Sequence, residues 1–416
     1  MQRSAGAKCW CVAIGVTAAG LAIAYYRRYC HRVLGTHGVN ASLPLTTPPL
    51  HFGILGCANI AVKFCVSVAD CGDAVIAAVA SRALAKAEEY IAENCPGAIA
   101  YASYQALLDD PNIEAVYIPL PTATRTQWAL KAVAAGKHVL LEKPVGPNAS
   151  EAAEIVAACK AAGVLYMDNT MFMHHARLKS MRRSLDEPSF GPVKSVSSSF
   201  TVAVPAEHLD VNIRVQRNLE PLGAIGDLAW YNIRFSLWAF GYQLPVSCST
   251  HVHATSAEGV ATAATGTLRY ADGRYATFDC SFHHCLRQRA EVVSEHRTLA
   301  LDDFVIPSKP EGGEYSIFTG GVGEKAIHFP RRVLASTEIV HPLEQHAILV
   351  RHFCRLARQG PGPKGPGATI TREAQQDAWS FWPQISLLTQ AVVDACAASG
   401  AQGGAWVDVV PPRPLW

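Results

Sequence analysis

From about residue 50 onward, short apolar runs alternate with helical stretches, and glycine and proline punctuate the boundaries. His51-Phe52-Gly53-Ile54-Leu55 reads as a buried strand, and Gly56-Cys57-Ala58-Asn59-Ile60-Ala61 as a tight turn opening a helix. Ala74 to Ala80 predicts the next strand; Ala115-Val116-Tyr117-Ile118 predicts another, running into the turn Pro119-Leu120-Pro121. A helix is expected through Trp128 to Ala135 with Gly136 as its stop, then a short strand from His138 to Leu141 that ends in Glu142-Lys143-Pro144. A helix from about Ala149 to Ala162, a second stop at Gly163 and a strand from Val164 to Met167 complete the run. Such alternation predicts an α/β unit with a doubly wound parallel sheet.

Past Arg177 the pattern changes. Val193 to Val204, Val246 to Ala254, Ala261 to Tyr270 and Arg274 to Phe282 read as extended segments, with Ala271-Asp272-Gly273-Arg274 as a hairpin turn between the last two. Strands in succession predict a C-terminal α+β domain with a large, mostly antiparallel sheet. The expected division is a segment and linker at 1–49, a first domain at 50–170, a second at 171–400 and a tail at 401–416. The glycine- and proline-rich run from Arg358 to Gly367 reads as a flexible insertion.

The N-terminus stands apart. No charged residue occurs from Cys9 to Tyr26, while Arg3 and Lys8 precede the run and Arg27, Arg28 and Arg32 follow it. Its length is near the roughly 17 to 20 residues of the shortest spanning helix, and trailing arginines favour the cytosolic side. We therefore expect a membrane anchor, with the catalytic part in a reducing compartment, the cytosol; a cleaved signal peptide or an organelle presequence are the alternatives. Half of the 416 residues are hydrophobic, which suits a folded chain with room for two large cores. A net charge of +2 gives no reason to expect a nucleic-acid partner. Thirteen cysteines without a CxxC pair point to buried thiols rather than to a disulfide framework or a zinc site.

The first strand–turn–helix resembles the Rossmann Gly-x-Gly-x-x-Gly fingerprint with alanine at its second and third glycines. Gly56 would make the tight turn, and Cys57, Ala58, Asn59 and Ile60 would bring backbone and helix N-terminus to a pyrophosphate. The second strand ends in Ser81-Arg82 rather than in an acid. A hydroxyl and a guanidinium suit a 2′-phosphate, so NADP is favoured over NAD; the bland alternative is that Arg82 starts a solvated helix. Pro119, Leu120, Pro121, Glu142 and Lys143 lie at the carboxyl ends of later strands, where open α/β sheets bind ligands. In the second half Asp227 and Tyr231 stand four apart, which on one helix gives them a common face. His174 and Arg177, just past the sixth strand, are candidates for lining the cleft. The histidine pairs offer no third ligand, so no metal is expected.

Together these pieces resemble the glucose–fructose oxidoreductase/inositol dehydrogenase (Gfo/Idh/MocA) family, from about His51 to Ala397. The carrying motifs are the Rossmann turn, Glu142-Lys143-Pro144 and Asp227-x-x-x-Tyr231. The tyrosine form looks like the dihydrodiol dehydrogenase and NADP-dependent D-xylose dehydrogenase branch. Plant-type members are similar around Gly56 to Ala61, Asp168 to His175, Asn212-Ile213-Arg214-Val215 and Gly226 to Arg234. The resemblance implies NADP-dependent hydride transfer to or from a small-molecule sugar, polyol or trans-dihydrodiol, in a homodimer. It implies Lys143 and Tyr231 as the catalytic pair, with Asp227, His174 and Arg177 also toward substrate. The Lys143 ammonium is expected to favour the Tyr231 phenolate. One departure is Arg125, which stands where many relatives carry a histidine. The alternatives are a non-catalytic NADP-binding regulator on the same fold and a reductase of a reactive carbonyl.

Overall fold

The computed structural model describes residues 48–209, 211–309, 312–320, 332–360 and 378–412. Two sheets organise the molecule. The first has six parallel strands in the order β3-β2-β1-β4-β5-β6, namely β1 (Leu50–Leu55), β2 (Ala74–Ala80), β3 (Ile99–Tyr101), β4 (Ala115–Ile118), β5 (His138–Leu141) and β6 (Tyr166–Asp168). Helices α1 (Asn59–Cys71), α2 (Leu84–Asn94), α3 (Tyr104–Leu108), α4 (Thr122–Ala134) and α5 (Ala149–Ala162) make the crossovers. β4 is buried at every position, as a strand covered by helices on both faces must be. Gly72, Gly136 and Gly163 end helices at positive φ, which places the last two where the sequence predicts them.

The strand order reverses direction between β1 and β4, so the turns after these strands open on one crevice at the sheet's carboxyl edge. A 3₁₀ turn (Met171–His174) and α6 (Ala176–Asp186) lead into the second sheet. This sheet has nine strands in the order β14-β13-β12-β11-β7-β10-β9-β8-β15. They are β7 (Val193–Thr201), β8 (Ser247–Thr255), β9 (Ala261–Arg269), β10 (Tyr275–Ser281), β11 (Ala290–Ser294), β12 (Arg297–Leu301), β13 (Gly312–Thr319), β14 (Arg332–Val340) and β15 (Val407–Asp408). β7 and β10 pair in parallel, and the remaining pairs are antiparallel. The predicted β9–β10 hairpin is present, with Gly273 at φ 85 in its turn. Past Ala401, where a tail is expected, β15 adds an edge to the sheet beside β8.

α7 (Ala206–Leu209) lies in the loop after β7, and α8 (Trp230–Ala239) packs on β7 and β10. α9 (Gln345–Gln359) returns to α1, and α10 (Ala378–Ala401) runs between the two halves, against α5 and β6 on one side and α8 and β8 on the other. A buried ion pair between Asp168 of β6 and Arg234 of α8 joins the halves, both side chains being fully buried. Removing one partner of such a pair strands the other charge in low dielectric.

The expected membrane anchorage is corrected here. Among the described residues no helix is long and apolar enough to cross a membrane. α10, at 24 residues the longest helix among the described residues, is apolar because it is sandwiched between the sheets, where Ile385, Val392 and Cys396 are fully buried. The segment from Cys9 to Tyr26 that suggested the anchor lies outside the described residues, as does the Gly/Pro insertion beyond Gly360.

Candidate active site

At the first crevice wall, β1 ends at Leu55 and Gly56 turns the chain at φ 103, where a Cβ would stand 3.0 Å from Leu120. The dihedral demands glycine, and the contact adds crowding from the tip of Leu120. Ala58 precedes α1 in extended conformation (φ −82, ψ 147), so no glycine is needed there. No side chain caps α1 and no acid occupies its first turn, which leaves its amides open to an anion. Asn59 and Ile60 are exposed at this helix start. Cys57 points its Sγ to the Lys86 carbonyl, 3.6 Å away. Burial pushes the Cys57 thiol up, and the Lys86 ammonium pulls against it.

Ser81 is buried and accepts the Ala83 amide at 3.3 Å, while Arg82 is exposed at the carboxyl end of β2. Lys86 is exposed one turn further on, a second cation that the sequence reading passes over. Its place in the first turn of α2, just past Arg82, is the signal that finds it. The uncapped α1 amides and this cationic pair fit the pyrophosphate and the 2′-phosphate of NADP. The crevice floor is Pro119-Leu120-Pro121, all buried or half-buried, with Pro121 at the N-cap of α4.

Glu142 is buried and accepts from Tyr117 Oη at 2.6 Å and Asn169 Nδ2 at 2.5 Å. It is thus engaged with β4 and the end of β6, and Asn169 passes the network on to His346 at 2.8 Å. Lys143 emerges from this braced turn. Its Nζ donates to Asp227 Oδ1 at 2.5 Å and to the Asp227 carbonyl at 2.7 Å, and lies 4.9 Å from the centre of the Tyr231 ring. The three residues expected to act together are therefore adjacent.

Asp227 and Tyr231 do not share a regular α-helix. Asp227 belongs to a π-helical turn (Ile225–Ala229) that feeds α8, whose second residue is Tyr231. The wider turn lets both side chains meet Lys143, and such π segments recur at functional sites. Gly226 permits it: a Cβ there would fall 2.5 Å from Leu222 and 3.2 Å from Pro144. The small residue brings the helix onto the Lys143-Pro144 turn.

Arg214, in a 3₁₀ turn (Ile213–Val215) held by the Asn212 cap, donates Nε to Asp227 Oδ2 at 2.8 Å. It is absent from the site candidates, although its stretch Asn212-Ile213-Arg214-Val215 is among those that carry the family resemblance; folding brings that loop to the Lys143–Asp227 pair. Burial alone would raise the Asp227 carboxyl, but Arg214 and then Lys143 outweigh it and hold the group far below the usual range. Tyr231 goes the other way. Burial pushes its phenol well above 10, reinforced by the carboxylates of Glu142 and Asp227. Against the expected phenolate, burial and the two carboxylates favour the protonated phenol, and the Lys143 ammonium is paired with Asp227. Phe200 and Phe172 pack around the ring at 5.3 and 6.1 Å.

His174 and Arg177 sit elsewhere. His174 stacks on Trp382 at 4.4 Å beside His352, and burial holds it neutral. Arg177 is fully buried, paired with Asp303 and bonded to the Asp303 carbonyl. Both secure the 3₁₀ turn and α6 to their neighbours; from this segment it is Phe172 that reaches Tyr231. Arg125 is buried too, its Nε donating to the Leu120 carbonyl at 2.7 Å. Among the described residues no His, Cys, Asp and Glu cluster could hold a metal ion.

Residues 50–170 match the family described as "Oxidoreductase family, NAD-binding Rossmann fold", and residues 178–300 match "GFO/IDH/MocA C-terminal domain". The chain is 31% identical to D-xylose 1-dehydrogenase (NADP(+)) 2 of Haloferax volcanii, over 75% of this chain and 90% of that protein. It is also 31% identical to trans-1,2-dihydrobenzene-1,2-diol dehydrogenase of Mus musculus, over 58% of this chain and 72% of that protein. Among solved structures, the 3-ketoreductase KijD10 of Actinomadura kijaniata in complex with NADP and TDP-benzene is similar at 25% identity, with a TM-score of 0.69 over 85% of this chain and 98% of that one.

Proposed function

The chain belongs to the GFO/IDH/MocA oxidoreductase family, and from that premise we propose that it interconverts a hydroxyl and a carbonyl on a sugar, polyol or trans-dihydrodiol, using NADP. The observation that carries this reading is the meeting of the Lys143 ammonium with the Asp227 carboxylate and the Tyr231 ring at the crevice. The α1 amides, Arg82 and Lys86 would hold the cofactor, which when bound supplies or receives the hydride.

Lys143 commits donors to the Asp227 carboxylate and carbonyl, leaving an N–H for a substrate oxygen. Its charge stabilises negative charge developing on that oxygen. Arg214 and Asp227 keep the ammonium in place from behind. The protonated Tyr231 gives its proton to a carbonyl oxygen as the carbon is reduced, and takes one back in the reverse reaction only after losing its own. The site is thus poised for the reductive direction at neutral pH.

The test is to follow nicotinamide absorbance in both directions, with D-xylose, D-glucose, inositol, a trans-dihydrodiol and the matching carbonyl compounds, for wild type, Lys143→Met and Tyr231→Phe. Turnover that both substitutions suppress supports the reading. Turnover that neither affects removes Lys143 and Tyr231 from the chemistry. Tight NADPH binding without turnover on any compound points to a regulatory binding protein.

A further inference from the structure

Arg125 lies in the first turn of α4, buried, and its guanidinium collects acceptors from separate segments. Nε donates to the Leu120 carbonyl at 2.7 Å; Nη1 donates to Thr122 Oγ1 at 3.0 Å and to the Pro144 carbonyl. Nη2 faces Glu220 Oε1 at 3.9 Å. Glu220 in turn accepts the Thr122 amide at 3.0 Å and the Thr122 hydroxyl, and the Ala123 amide donates to the Leu219 carbonyl at 3.0 Å. One side chain therefore joins the crevice turn after β4, the turn that carries Lys143, and the loop that leads into the π turn of Asp227.

A buried guanidinium with a single, distant carboxylate is a poor way to gain stability, since its desolvation is only partly offset. Its geometry serves another purpose. The planar fork supplies fixed donors in different directions, which an imidazole with two ring nitrogens or a point-like ammonium does not. The carbonyl it grips belongs to the residue next to Lys143.

We propose that Arg125 is a positioning residue for Lys143, acting through the Pro144 carbonyl and locking the cofactor-side turn, the lysine turn and the Glu220 loop in one register. The inference rests on the reading above that Lys143 acts on substrate. The Arg125 grip on the Pro144 carbonyl bears on the placement of Lys143, so loss of the fork should lower kcat by more than it weakens cofactor binding through the Leu120 turn. A misplacement of about 1 Å in a reacting group costs on the order of 100-fold.

The experiment compares Arg125→Gln, Arg125→Lys and Arg125→His in the full chain, each alone and on Lys143→Met. We expect Arg125→Gln to lose on the order of 100-fold in kcat, with a lower melting temperature and an NADPH affinity that falls much less than kcat. Arg125→Lys, which keeps a donor for one carbonyl, should recover part of the loss. On the Lys143→Met background Arg125→Gln should add almost nothing, because two residues acting through one group are not additive. Equal losses on both backgrounds, or a kcat of Arg125→Gln within about twofold of wild type, would overturn the proposal. A readout independent of turnover is the ¹⁵Nζ resonance of Lys143, assigned by its absence in Lys143→Met. Arg125→Gln should shift that resonance; an unmoved resonance overturns the positioning role even where no substrate is found, whereas a shifted resonance without turnover leaves Arg125 standing and counts against the proposed function.

Discussion

At the scale of single residues, the cleft is a set of charges whose neighbours decide their states. Asp227 is ionised because two cations hold it so, and Tyr231 is neutral because burial and two carboxylates do. Lys143→Met should lower kcat by about 100-fold or more, and Tyr231→Phe similarly, the range typical of removing a positioned acid or base. The protonated phenol also sets the pH dependence. On the proposed role of Tyr231, reduction would need the neutral form and should be flat from about pH 6 to 8, while oxidation would need the ionised form and should rise with pH through that range. A steady-state profile showing oxidation flat and reduction falling would reverse the assignment of Tyr231. On the proposed cofactor side, Arg82→Ala would remove charge-assisted bonds to a 2′-phosphate, each worth about 1.5–3 kcal/mol. NADP binding should weaken by about 10- to 100-fold and NAD binding hardly at all, as titration of cofactor fluorescence would register; equal weakening of both would discard the phosphate clamp.

At the scale of elements, the decisive feature is the π turn ahead of α8. From sequence, Asp227 and Tyr231 four apart suggest a common helical face, and the two do converge on Lys143, but by a wider turn than regular spacing provides. Gly226 makes this possible by letting the turn rest on Pro144. Gly226→Ala inserts a methyl where Leu222 and Pro144 leave no room, a form of overpacking that costs about 1–3 kcal/mol. We expect a lower urea midpoint together with reduced kcat, since the relief available is movement of α8 away from the lysine turn. Wild-type stability and activity in this variant would mean the contact is slack. The same scale explains why His174 and Arg177 mislead. Polar residues just past a strand's carboxyl end suggest a cleft, yet α9, α10 and the second sheet cover this position and turn both side chains into buried packing.

At the scale of the whole molecule, the buried His175 and the half-buried His352 tie stability to pH. Burial, with Arg177 nearby, brings His175 down to about 4, and burial, with Arg355 nearby, brings His352 to about 4. Both lie below the roughly 6.5 of an unfolded histidine, so the unfolded chain binds these protons first. Stability is whole above that pH and falls as pH drops from about 6.5 toward 4, by a total on the order of a few kcal/mol. Urea midpoints measured between pH 7.5 and about 4.5 should decline steadily; a constant midpoint would show that these rings are hydrated in solution.

Read by itself, the chain determines the local vocabulary: strands, glycine stops, the anion-ready helix start after Gly56, and a lysine at a strand's end. These depend on neighbours a few residues away, through periodicity, φ preference and missing caps, so they are legible in order along the chain. Which carboxylate receives Lys143, that Arg214 shares it, that Arg125 grips Pro144, and that the tyrosine beside an ammonium is nonetheless neutral were decided only by the tertiary structure. Each of those depends on burial and on partners from 4 to 89 residues away in sequence, and no pattern along the chain reports the dielectric or the distance at which such groups meet.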